Sequence, residues 1–397
     1  MKQGIVSKLN FHSSGSVILV LIVFAFLSSC TKSYQAFYDG IGNVNPLLTD
    51  ISLLGPLKNL KVTNDAVFAP NGLSSGGYSY GATIRLNDTT ILIACNKYQP
   101  GGFDDFMYAD IVAKKSCDNG ATWGNEFVLQ ENIGAVNTFA PSFVRINSKH
   151  LIFVFGVKNS QREINILFRD SYDNGLTWGA VRQINSGSPI YYSLVNARVI
   201  YNKGRIIIPT CLALDINRDK DQVLICCFYS DDQGKTWKKS NYLKSNFALM
   251  EPAVTSTSTG QLLMTIRTVK GVIYFSKSSD NGKSWTNLLQ TNISTVNSPQ
   301  VIERVGVSDT LVMIWNNAKY TPGHNNRTPL TFAYSANDGQ TWHNPVNIQT
   351  NAEFNYFYPS LMIDQTDTLH LTYGVRSKND ARPYLLYNKL SLRDLIK

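Results

Sequence analysis

The sequence predicts an all-β fold, a six-bladed β-propeller, and three observations carry that expectation. An eight-residue pattern ending in tryptophan recurs five times, and a second pattern of paired apolar strands recurs six times in step with it. The one apolar run longer than ten residues lies at the N-terminus, which excludes a polytopic membrane protein. A length of 397 residues would suit two or three average domains, but all-β propellers run long as single domains.

The eight-residue pattern sets the period. It starts at Ser116, Ser171, Ser230, Ser278 and Ser335, at spacings of 55, 59, 48 and 57 residues. Such a period is that of a four-stranded blade with loops of variable length. Each copy reads Ser-x-Asp-x-Gly-x-Thr/Ser-Trp, with Asn337 in place of the aspartate in the last. The Asp accepts backbone N–H bonds within a tight turn, the Gly supplies positive φ, and the Trp packs under the hairpin. Each carboxylate is consumed by its own turn, so the repeats are structural rather than catalytic or calcium-binding.

The strand pairs fill the intervals. Six segments begin at Tyr80, Ala140, Asn196, Glu251, Ser298 and Tyr358, each leading to a short apolar strand such as Ile91-Leu92-Ile93 or Leu369-His370-Leu371. Six pairs make six blades. The sixth has no tryptophan repeat and is short of a strand, so Leu57 to Phe68 is expected to supply its outer strand and close the ring, which removes exposed edges. Blades converge radially, so the six starting residues ring one mouth of the central channel, with the tryptophan repeats at the opposite face.

The N-terminus reads as an address. Lys2 and Lys8 precede an eleven-residue apolar run, Val17 to Leu27, too short to span a bilayer, and Leu27-Ser28-Ser29-Cys30 follows. That tetrapeptide resembles a bacterial lipobox. The expected organisation is a signal peptide over 1–29, a lipidated Cys30, a tether over 30–55 and a single propeller over 56–397. The chain carries +9 formal charge, and loss of Lys2 and Lys8 leaves +7; a basic exported enzyme suits anionic ligands. The other five cysteines have no C-x-x-C spacing and the five histidines are scattered, so neither a disulfide framework nor a metal site is indicated. Lys and Arg form no stripe, so nucleic acid is not expected as a partner.

Within this frame the chain resembles the sialidase (neuraminidase) family of six-bladed propeller glycoside hydrolases, whose Asp-box or BNR repeats match the eight-residue pattern, over residues 76–390. Glu251 followed by Gly260-Gln261-Leu262-Leu263-Met264-Thr265-Ile266-Arg267 resembles the family's glutamate, strand turn and second arginine. Arg327 lies eight residues before the last repeat, at the third arginine. Tyr358, in Phe357-Tyr358-Pro359-Ser360-Leu361, falls at the nucleophile, and Asp105 at the acid/base aspartate, with Asp104 a near-equal candidate. One position departs: Ser79 stands where the first arginine belongs. Arg85 is six residues on, about 20 Å along a strand, and Lys97 and Arg198 are the other cations within possible reach.

The resemblance implies an exo-glycosidase that removes a terminal acidic sugar with retention, without cofactor or metal. Sialic-acid-like sugars carry a carboxylate on the anomeric carbon, which repels a carboxylate nucleophile, and sialidases use tyrosine instead. Tyr358 attacks, Glu251 takes its proton, Asp105 protonates the leaving oxygen, and Arg267 and Arg327 grip the substrate carboxylate. Ser79 and Asn196 complete the expected substrate contacts. Partners are then an acidic glycan and, through the lipid anchor alone, a bacterial membrane, with the chain facing the periplasm or cell surface as a monomer. A hydrolase for another acidic sugar, and a glycan-binding lipoprotein without activity, are the two alternatives.

Overall fold

The computed structural model describes residues 36–397 apart from 64, 73–75, 101–102, 188, 325 and 381. The leader and Cys30 lie outside the described residues. Asn43–Lys397 form one compact unit, and the residues before Asn43 belong to another, in which residues 36–39 form a short helical turn.

Asn43–Lys397 fold as six antiparallel blades. Blade one comprises Tyr78–Arg85, Ile91–Tyr98, Ala109–Ser116 and Phe127–Gln130. Blade two comprises Asn137–Arg145, Leu151–Ser160, Glu163–Ser171 and Arg182–Gln183; blade three Ile200–Asn202, Arg205–Ala213, Leu224–Ser230 and Lys238–Lys239. Tyr191–Ser193 bridges these two. Blade four runs from Met250–Ser256 through Leu262–Arg267 and Val272–Ser278 to Leu289–Ser294. Blade five runs from Val301–Arg304 through Leu311–Trp315 and Leu330–Ser335 to Trp342–Gln349. Blade six comprises Phe354–Ile363, Thr368–Ser377 and Tyr384–Ser391. The innermost strands neighbour one another in sequence order, and the first again meets the last, so the ring is closed.

Closure follows the expectation in part. Ala66–Phe68 pairs antiparallel with Tyr384–Ser391 as the fourth strand of blade six. Lys58–Asn59, expected in the same strand, instead pairs in parallel with the outer strand of blade five. Residues 43–55 likewise depart from a free tether: Leu47–Leu48 lies against the outer strand of blade four and Leu53–Leu54 against that of blade five. The physical reason is the exposed backbone of each outer strand, which a passing segment can satisfy without burying side chains. Leu48 accordingly remains 81% exposed.

Apolar side chains gather at the seams between blades. Ile84, Leu92 and Ile111 meet Leu151 and Phe153 between blades one and two, while Leu262 and Met264 meet Ile225 and Tyr229 between three and four. Trp123 meets Tyr387, Trp237 meets Phe168, and Trp342 meets Phe275, ring centroids 5.0, 5.6 and 6.3 Å apart. These three tryptophans thus staple their blades to the third strand of the preceding one, whereas Trp178 packs on Phe143 and Phe153 of its own blade. The turn of each repeat is held as the sequence implies. Asp232 Oδ1 accepts the Thr236 N–H at 2.9 Å, and bonds from the Thr236 hydroxyl and backbone pull its pKa down to about 2. Gly120 has φ +82°, and a Cβ there would strike the Tyr387 hydroxyl at 2.2 Å. Asn119 N donates to Thr89 O, which places the repeat beside the turn that ends the inner strand, on the face away from the strand starts. The cysteines described are all free thiols, four of them buried.

Phe68, 1% exposed, packs on Tyr78 of blade one and so fastens the closing strand across the last seam. Phe68→Ala should cost about 3–5 kcal/mol of unfolding free energy, and Leu48→Ala less than about 0.5 kcal/mol. Denaturant titration of both variants checks this; similar losses at the two positions would show that the closing strand carries no special share of stability.

Candidate active site

The site is built by one backbone device used repeatedly. Tyr80, Ala140, Glu251 and Tyr358 have φ of 58°, 55°, 40° and 51°, left-handed values that few residues other than Gly adopt. At each, the pairing of the inner strand slips: between Ser79 and Ala82, opposite Val154 and Gly156, between Met250 and Ala253, and between Phe357 and Ser360. Each is a β-bulge, which re-aims a side chain that a regular strand would bury between blades. On blade three the equivalent conformation falls on Ala197, φ 54°, one residue later than expected.

That shift decides the fate of Asn196. Its amide donates to the carbonyls of Gly81 and of Tyr358, tying blade three to blades one and six, and its side chain is fully buried. Arg198 sits in the same layer. Its guanidinium donates to the carbonyls of Asn196, Gln300 and Pro359, and burial lowers its pKa to about 10. Arg198 therefore plugs the channel beneath the mouth and does not face it. Lys97 is paired with Glu126 at 2.6 Å, and Arg85 with Asp364 at the far face, so neither takes the place of the first arginine.

The residues expected to act do converge. Tyr358 Oη donates to Glu251 Oε1 at 3.0 Å, and Glu251 Oε2 is held by Arg267 Nη1. Arg267 Nε donates to Asn297 Oδ1 at 2.7 Å, so two of its three nitrogens are spent on positioning. Burial pushes the Tyr358 phenol well above its ordinary pKa, Glu251 and Asp105 push the same way, and Arg267 and Arg327 oppose them. Burial works against the Arg267 charge, but Glu251 and Tyr358 outweigh it and hold its pKa above the ordinary value. The Arg327 guanidinium lies 5.6 Å from the Tyr358 ring centroid. Tyr80 is stacked on Tyr358, centroids 4.2 Å apart.

Asp105 reaches the same place from the loop between the second and third strands of blade one. Its Oδ1 accepts from Tyr80 Oη at 3.4 Å. Its carbonyl is pinned by Asn137 Nδ2 at 3.0 Å and by the buried Lys158 Nζ at 2.6 Å, both from blade two. Asp104 instead turns its carboxylate back on the Phe106 N–H at 2.8 Å. Geometry therefore separates two candidates that the sequence leaves level.

Ser79 is fully buried, its hydroxyl 3.1 Å from Tyr98 Oη, and Tyr98 carries Phe103 at 5.0 Å. Aromatic rings border the path that a long side chain from position 79 would take. A cavity of about 290 Å³ opens beside them, lined by Phe103, Asp104, Asp105, Arg327, Asn355, Phe357, Tyr358 and Arg376. Lys158 and Arg376 were not singled out from sequence. Both lie within two residues of the end of the second strand of their blade, which Arg267 itself ends, and that similar position is the signal that would have found them. Among the described residues no group of three or more His, Cys, Asp or Glu could hold a metal ion.

Comparison with known proteins agrees with this architecture. The BNR repeat-like domain family matches residues 109–371. A sialidase of Bacteroides fragilis is 24% identical over 246 residues, covering 58% of this chain and 42% of that protein, and a Clostridium perfringens sialidase is 25% identical over 183 residues, covering 39% and 47%. The chain thus spans less than half the length of these curated relatives. Among solved structures, a Trypanosoma rangeli sialidase in complex with 2,3-difluorosialic acid, a covalent intermediate, superposes with a TM-score of 0.67 at 18% identity, over 85% of this chain and 60% of that one. The Hadza microbial sialidase Hz136 gives 0.67 at 16% identity, over 84% and 69%. With a family match over about two thirds of its length, the chain belongs to the BNR repeat-like, sialidase-type family.

Proposed function

We propose that this protein is an exo-glycosidase of sialidase type, cleaving a terminal sialic acid or related acidic sugar with retention through a covalent Tyr358 intermediate. The observation that carries the reading is the chain of contacts from Tyr358 through Glu251 to Arg267. A phenol with a raised pKa keeps its proton until attack, so it brings no negative charge toward the substrate carboxylate. Glu251 Oε1 accepts that proton as the bond from Tyr358 Oη to the anomeric carbon forms. The bond to the leaving oxygen breaks at the same time, and Asp105 supplies its proton. In the second half, Asp105 takes a proton from water, water attacks the anomeric carbon, and Tyr358 leaves with the proton from Glu251. Arg327 faces the cavity and binds the carboxylate bidentately. Further support comes from the related Trypanosoma rangeli sialidase, whose complex with 2,3-difluorosialic acid is a covalent intermediate.

The lipobox-like Leu27-Ser28-Ser29-Cys30 supports a further part of the proposal, that Cys30 anchors the enzyme to a bacterial membrane. Cys30→Ala should move the protein from the detergent phase to the aqueous phase on partitioning of cell extracts; an unchanged distribution would remove the anchor.

A panel of fluorogenic acidic glycosides, with the product anomer followed by NMR, tests the activity. Release of sialic acid with retention is expected, and turnover should fall by about 100- to 10,000-fold in Glu251→Gln. Hydrolysis with inversion, or none on any acidic glycoside, would contradict the proposal. Asp105→Ala should slow sialyl-lactose far more than an aryl sialoside, because only the poor leaving group needs the proton. Equal slowing of both would take the acid role from Asp105.

A further inference from the structure

We propose that Arg376 supplies the guanidinium that the family resemblance expects at position 79, so that a substrate carboxylate is held between Arg327 and Arg376 with Arg267 behind it. This rests on the sialidase-type reading above and names the clamp that selects an acidic sugar. The cavity beside Tyr358 is lined by two guanidiniums, Arg327 and Arg376. Arg267, expected in the clamp, is not among its lining residues, since Glu251 and Asn297 engage it.

Arg376 is placed by the sheet. It is the last residue but one of the second strand of blade six and pairs across the sheet with Asn355, three residues before Tyr358 on the inner strand. Its guanidinium lies 5.7 Å from the Phe103 ring centroid, and Phe103 lies 5.8 Å from Phe357, so an aromatic floor orients the cation toward the opening. The Arg376 side chain makes no hydrogen bond or ion pair among the described residues, although Asp104 and Asp105 line the same cavity. Both guanidiniums line the same cavity, so an entering anion would meet the two together. A planar guanidinium matches a carboxylate through two parallel N–H bonds. The loss at Ser79 and the cation at Arg376 fit together. Tyr98 and Phe103 border the path from position 79, and Phe103 presents its ring to Arg376.

The test compares binding of 2,3-dehydro-2-deoxy sialic acid with that of its methyl ester, which lacks the negative charge, by calorimetry on wild-type protein and on Arg376→Gln and Arg376→Lys, with melting temperatures as a check of folding. Losing a charged hydrogen-bonding group should weaken the acid about 10- to 150-fold in Arg376→Gln. The ester should be almost unaffected, and Arg376→Lys should keep part of the affinity. Undiminished affinity for the acid in Arg376→Gln, or equal losses for acid and ester, would overturn the role of Arg376 while leaving the sialidase reading intact. Wild-type protein that binds neither compound and cleaves no sialoside would overturn that reading and this proposal with it.

Discussion

The site depends on the bulge at the start of the inner strands. Residues such as Glu251 and Tyr358, held at φ of 40° and 51°, sit in a conformation that costs on the order of 1–3 kcal/mol each. A lone blade would relax them. The ring does not allow it, because the same residues are fixed from neighbouring blades: Asn196 holds the Tyr358 carbonyl and Arg198 the Pro359 carbonyl. The tryptophan staples and apolar seams outside thus hold a strained layer inside, and that layer turns a tyrosine and a glutamate from different blades toward each other.

Charge is organised around the same layer. The pair of Glu251 and Arg267 is neutral as a unit, so the ionised glutamate beside the phenol does not leave an uncompensated buried charge. Among the described residues no carboxylate comes within ion-pair distance of Arg198 below, which is instead surrounded by carbonyl oxygens and acts as a structural plug. Lys158 does the same for the loop of Asp105: buried among the rings of Phe106, Phe139 and Tyr191, its Nζ donates a hydrogen bond to the Asp105 carbonyl and fixes the loop that brings Asp105 to Tyr80. Arg198 and Lys158 thus both hold backbone carbonyls in place.

Much of this was legible in the sequence because repeats impose a frame. The tryptophan repeats and strand pairs imply the six blades and the opposite faces and bring Tyr358 and Glu251 to one mouth, to which the family resemblance adds Arg267. The frame misses on two blades: on blade three the bulge falls on Ala197 and not on Asn196, and on blade five Ser298 is buried without positive φ although Pro299 follows it. The outer edges are less legible, since Leu47–Leu48 and Leu53–Leu54 pair in parallel over two residues each, too short a run to show a strand pattern. Arg376 and Lys158 lie near the far ends of second strands, where the repeats carry no marker residue.

The most direct measurement of the central claim is mass spectrometry of the protein after incubation with 2,3-difluorosialic acid, with the adduct located by peptide mapping. The account predicts one added sugar per chain, on Tyr358, formed by wild-type protein and absent from Tyr358→Phe. An adduct on Glu251 or another carboxylate, or hydrolysis of sialosides with no adduct at all, would contradict it.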